Sequence, residues 1–154
     1  MMNPDYAARF NFKGRKDGSV ILNIPGTSYE ITVPASGEVT PSAQGRVWGV
    51  LRLPVWKLDV VTAGGAYIEP VYGKPRRVQG MVVGSIPERN EVVVDVCGQP
   101  IVGTLPSRWK ATEIEKGGRI GLDIEAGGRF EPSPPKANRE PEVDAVPSLN
   151  LSAG

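Results

Sequence analysis

From Arg119 to Glu125 the chain alternates strictly. Ile120, Leu122 and Ile124 fall on one face of an extended segment, Arg119, Asp123 and Glu125 fall on the other, and a glycine pair lies just beyond each end. A period of two belongs to strands, and a slip of one residue would bury every charge, so the pattern sets both the conformation and the inward face. "VVVDVCGQPIVGTLP" repeats the theme: Val92, Val94 and Val96 oppose Asp95, and Ile101, Gly103 and Leu105 continue the apolar face after a turn. Nineteen glycines and fifteen prolines cut the chain into pieces of this kind, too short for a helical bundle. The expectation is an all-β protein with roughly eight or more strands and no helix longer than about three turns.

Two blocks recur in the same order. "SVILNIPGTSYEITVP" (Ser19 to Pro34) aligns with "EVVVDVCGQPIVGTLP" (Glu91 to Pro106), and "AGGAYIEP" (Ala63 to Pro70) aligns with "AGGRFEP" (Ala126 to Pro132). The recurrence suggests a duplicated unit; one continuous meander with repeated turn chemistry is the alternative. The expected organisation is two tandem small OB- or SH3-like barrels, or one continuous β-meander barrel. A first unit spans residues 1–73, a second spans 74–131, and residues 132–154 form a disordered, proline-rich tail. Within the second unit the order is strand (Arg77 to Gly84), strand (Glu91 to Val96), strand (Gln99 to Leu105), short helix, strand (Arg119 to Glu125) and a stub (Gly128 to Glu131). Ser107 can cap that helix, Trp109 and Ile114 can pack inward, and Gly117 can end it. Gly80 marks a sharp bend in the first of these strands.

This order, carried by "VQGMVVGSIPERNEVVVDVCGQPIVGTLP…EKGGRIGLDIEAGGRFEP", resembles OB-type β-barrel modules and, more loosely, the TOBE accessory domains of transporter ATPases and molybdate-binding proteins. The resemblance covers residues 77–132. It implies a closed small barrel, and the TOBE likeness implies binding of a small oxyanion. No GxxxxGK[ST] phosphate loop is present, so the ATPase that a TOBE domain serves is not encoded here.

The chemistry is narrowed by what is missing. There is no histidine, so the commonest general base and the commonest zinc ligand are both absent. Cys97 is the single cysteine; it falls in the turn "CGQP" and reads as a small residue closing a hairpin rather than a nucleophile. No pairing of nucleophile and base emerges, and the expectation is a non-enzymatic protein without catalytic residues, cofactor or metal. Eighteen Lys and Arg face seventeen Asp and Glu, no apolar run approaches the roughly 20 residues of a membrane span, and the opening residues lack a signal-peptide core. A cytoplasmic protein without a membrane partner is expected.

One constellation points to a ligand. In "GRVWGVLRLP" Arg46, Trp48 and Arg52 share the face opposite Val47, Gly49, Leu51 and Leu53, placing an indole between two cations on the wet side. Trp56, in contrast, aligns with Leu58 and Val60 as core. The connector "VYGKPRR" adds Tyr72, Lys74, Arg76 and Arg77. Such residues anchor protein contacts, and they also stack and neutralise single strands. The expected function is a protein–protein assembly module or accessory subunit with a protein partner or a second copy of itself. The alternative is single-stranded nucleic-acid binding, with oxyanion binding more remote.

Overall fold

The computed structural model describes residues 6–133, and there the alternating segments form eleven strands. They are β1 (Ala8–Lys16), β2 (Ser19–Asn23), β3 (Glu30–Pro34), β4 (Arg46–Val60), β5 (Tyr67–Glu69), β6 (Tyr72–Gly73), β7 (Arg77–Ile86), β8 (Glu91–Val96), β9 (Gln99–Thr104), β10 (Arg119–Ile124) and β11 (Arg129–Pro132). The protein is all-β, as the alternation requires. Helix among the described residues amounts to two single 3-10 turns, Pro87–Arg89 and Ala111–Glu113. The helix expected after Ser107 is thus one turn without a side-chain cap. Asn90, in the left-handed region at φ 53°, does the work instead. Its Nδ2 donates to the carbonyls of Leu105, Pro106 and Trp109, and its Oδ1 accepts from the Ala111 amide, so one amide side chain satisfies the loop backbone. Trp109 and Ile114 do pack against the core.

Strand pairing follows two closed paths. In the first, β1 pairs antiparallel with β2 and β4, β2 with β3, and β4 with β11, and a parallel bridge from Ala35 to Phe130 completes the circuit. In the second, β7 pairs antiparallel with β8 and β10, β8 with β9, and β10 with β4, while a parallel pairing of β4 (Arg52 to Pro54) with β9 (Val102 to Thr104) completes it. The first recurring block occupies equivalent places, β2 and β3 matching β8 and β9, and β1 and β7 both shift register near their middles; the second does not, because β5 pairs with β7 whereas β11 pairs with β4. Each path takes one strand from the other half. β4 lies before the expected boundary at residues 73 and 74 and hydrogen-bonds on both sides of it. β11 lies after the boundary and pairs with Gly49 to Arg52.

The core is continuous across both paths. Phe10 and Phe130, both fully buried, meet edge to face with centroids 5.8 Å apart, and Gly49 is glycine because any side chain there would collide with the Phe130 ring and the Glu131 carbonyl. A side chain at Gly80 would strike the Asp95 carbonyl, so close backbone approach requires glycine there, and the register shift of β7 lies further on, between Val82 and Gly84. The tail boundary expected at residue 132 falls later, because Pro132 belongs to β11 and the Ser133 amide donates to the Trp48 carbonyl at 2.9 Å; the tail from residue 134 lies outside the described residues.

β4 corrects one expectation. Its buried side chains run Val47, Gly49, Leu51, Leu53, Val55 and then Leu58, a change of parity. Ile124 pairs with Val55 and Asp123 with Lys57, so Trp56 is the extra residue of a β-bulge. Trp56 is therefore 50% exposed and Val60, at the strand end, 77% exposed, instead of joining Leu58 in the core.

Candidate binding surface

β1 and β4 carry the first candidate site side by side. Register puts Arg9 directly opposite Trp48 and Asn11 opposite Arg46, so on the outward face the indole is flanked by Arg9 across the ladder and Arg46 two residues before it. Residues of 35–45 rise beside the start of β4 and leave a groove of about 390 Å3, lined by Val39, Thr40, Ser42, Arg46, Trp48 and Ser133, with Glu38 as its one carboxylate. Ser42 shapes it by donating its amide to the Arg46 carbonyl and accepting the Arg46 amide on its hydroxyl. Trp48 is partly covered and Arg9 exposed.

β1 holds Arg9, Lys13, Arg15 and Lys16 and no acidic residue. Neither these four nor Arg46 takes part in any ion pair among the described residues. Arg15 folds over the Phe12 ring, 4.9 Å from its centroid, and donates to the Val39 carbonyl. Lys13 sits where β1 shifts register against β2. Sequence reasoning missed Arg9 and Lys13. The signal was the acid-free run "ARFNFKGRK", whose bearing on Trp48 depends on a strand pairing that spacing does not reveal.

Two of the expected cations are not free. Arg52, placed on the wet face by alternation, is 11% exposed and directed into an acidic cluster: its Nε lies 2.9 Å from Oε2 of Glu91 and its Nη1 lies 2.5 Å from Oε1 of Glu131. Glu91 is 1% exposed and also accepts from the Thr104 hydroxyl, with Arg89 at 3.3 Å; Arg129 pairs with the other oxygen of Glu131 at 2.6 Å. Burial opposes the Arg52 charge, but the hydrogen bond and charge of Glu91, followed by Glu131, outweigh it and hold the guanidinium above its ordinary pKa. The outer face of β8 and β9 is buried here, with Val93 and Val102 fully covered, which is why a strand face predicted as wet carries a buried ion pair.

Arg77 is the second. Its Nε donates to the Tyr67 hydroxyl at 2.9 Å and its Nη1 lies 2.8 Å from Asp123 and 3.5 Å from Asp59. The guanidinium crosses directly over Gly121, where any side chain would collide with it. The Tyr67 hydrogen bond, against burial and with Asp123, raises its pKa above the ordinary arginine value. Tyr72, 65% exposed, stands in β6 beside Glu30, while Lys74 and Arg76 are exposed and line a separate cleft with Pro70, Pro75 and Glu125. The structure thus unites Arg46 and Trp48, adds Arg9, and distributes the connector residues elsewhere.

Cys97 and Gly98 form the two-residue turn between β8 and β9, at φ 53° and 93°. The cysteine closes a hairpin, as expected, but its side chain is exposed rather than packed. No three His, Cys, Asp or Glu side chains among the described residues gather as a metal site would require, and no described helix is long and apolar enough to cross a membrane. Comparison with known proteins returns no match: no family model, curated protein or solved structure aligns significantly with this chain.

Proposed function

We propose that this chain is a non-enzymatic binding module, built as two OB-type barrels that exchange one strand each, and that it holds single-stranded nucleic acid across the Arg9, Trp48 and Arg46 face. The two closed pairing paths support the barrel reading, since each has five strands and one parallel contact. The observation that carries the ligand is the partly covered indole set between two guanidinium groups that form no ion pair among the described residues, with Lys13 beyond them on an acid-free strand. Cations neutralise the phosphates while the ring stacks a base, a combination that tolerates any sequence. Fluorescence titration with an oligothymidine is the test. Affinity should fall steeply with salt, Trp48→Ala should cost about 5- to 150-fold, and Arg9→Gln with Arg46→Gln should flatten the salt dependence by about 0.7 per lost phosphate contact. Salt-independent or absent binding rejects the reading.

A protein-assembly reading has its own support. Trp56, Val60 and Met81 are exposed apolar side chains of 43% exposure or more on strands β4 and β7, and large apolar residues left in water mark contact surfaces. Association that survives high salt and is lost in Trp56→Ser favours it.

A further inference from the structure

We infer that the groove beside Trp48 takes a guanine base, read on its Watson–Crick edge by the carboxylate of Glu38. The inference deepens the nucleic-acid reading of that face and rests on it. Charge is the first argument. Glu38 is the one carboxylate lining a groove whose other charged residue is Arg46, and Arg9 lies across the ladder from Trp48. A carboxylate there repels phosphate, so the backbone of a bound strand follows the cations and the Glu38 side of the groove is left for a base. Glu38 takes part in no ion pair among the described residues, and its two oxygens are open to a ligand.

Donor pattern is the second argument. An ionised carboxylate only accepts hydrogen bonds, and its paired oxygens suit two parallel donors. Guanine alone among the common bases carries two adjacent N–H donors on that edge, at N1 and at the exocyclic amino group. Adenine and cytosine set an amino group beside a ring nitrogen that accepts, and thymine and uracil set a single N–H between two carbonyls. The indole of Trp48, lining the same groove, supplies the ring on which the base stacks. Placement is the third. The loop carrying Glu38 is tied on both sides of it: the Ser36 amide donates to the Phe130 carbonyl at 2.9 Å, and Arg15 donates to the Val39 carbonyl at 2.6 Å. Val39 itself is buried, so the backbone that presents the carboxylate is held, as discrimination between bases requires. The groove of about 390 Å3 lies near the lower end of the range for small-ligand sites, about 300–1,000 Å3, and has room for a single base with its sugar.

The test uses the full chain and Glu38→Gln, with labelled oligothymidines of about nine nucleotides whose central base is guanine, adenine, cytosine or thymine. The guanine oligonucleotide should bind the unaltered chain about tenfold more tightly than the other three, as one bidentate contact provides. In Glu38→Gln that preference should disappear, while every oligonucleotide binds more tightly at low salt because a charge opposing phosphate has gone. Equal affinity for all four, or a guanine preference that survives Glu38→Gln, overturns the inference and leaves the nucleic-acid reading standing. Binding of guanosine monophosphate but not thymidine monophosphate, with no oligonucleotide bound, keeps the guanine site with a free nucleotide as its occupant and rejects the strand reading instead. Binding of none of these ligands overturns both.

Discussion

At the residue scale, one turn residue and one buried ion pair give measurable consequences. Cys97 occupies a left-handed conformation that costs an ordinary residue about 1–2 kcal/mol and that asparagine tolerates better. Its exposed thiol contributes no packing to offset this. Cys97→Asn should therefore stabilise the protein by about 0.5–1 kcal/mol, read as a melting-temperature increase of about 1–4 °C, with oligothymidine binding unchanged. Arg52 and Glu91 make the opposite case, a buried pair whose value depends on both members. Arg52→Met alone should cost about 3–5 kcal/mol in urea unfolding by stranding the Glu91 carboxylate, whereas adding Glu91→Leu should recover most of that loss. A double variant no better than the single would show that the network stabilises by more than mutual neutralisation. The Arg52 pKa is raised in the folded state, so its contribution is complete below the ordinary arginine range and is lost only as pH climbs above it; no change is expected between pH 6 and 9 from this group.

At the scale of elements, the second half was legible almost residue by residue. Strands expected at 77–84, 91–96, 99–105 and 119–125 stand at 77–86, 91–96, 99–104 and 119–124, because apolar residues at every second position between turn residues mark a strand. Legibility failed where exposure had to be read from that period alone. A bulge advanced β4 by one residue and turned Trp56 outward, and nothing in "LPVWKLDV" announces an extra residue, since the register shift belongs to the pairing with β10. The outer face of β8 and β9 is buried, so Arg52, placed on the wet face by alternation, meets the buried Glu91 instead of water. Arg46 and Trp48 were found because they lie two apart on one strand. Arg9 was missed because it lies across a ladder whose partners are 39 residues apart in sequence. Local period gives elements, and only pairing gives the site.

At the scale of the whole molecule, the two halves are not separable by a cut at their sequence boundary. The first pairing path needs β11 and the second needs β4, so fragments 1–73 and 74–154 should each lack dispersed amide resonances when made alone and should recover them when mixed. Two independently folded fragments would contradict this. The exchange also fixes an order of events during translation. After Val60 has been added, about 70 further residues must be polymerised before β11 exists, a delay of roughly 4–14 s at about 5–20 residues per second. Through that interval the nascent first half lacks the ring of Phe130 that covers Phe10, and β4 waits with an unclaimed edge. On a crowded polysome the same vacancy fits the β11 of a neighbouring chain just released. The characteristic by-product should then be a reciprocally swapped dimer, and slowing elongation, which lengthens the interval, should raise its yield.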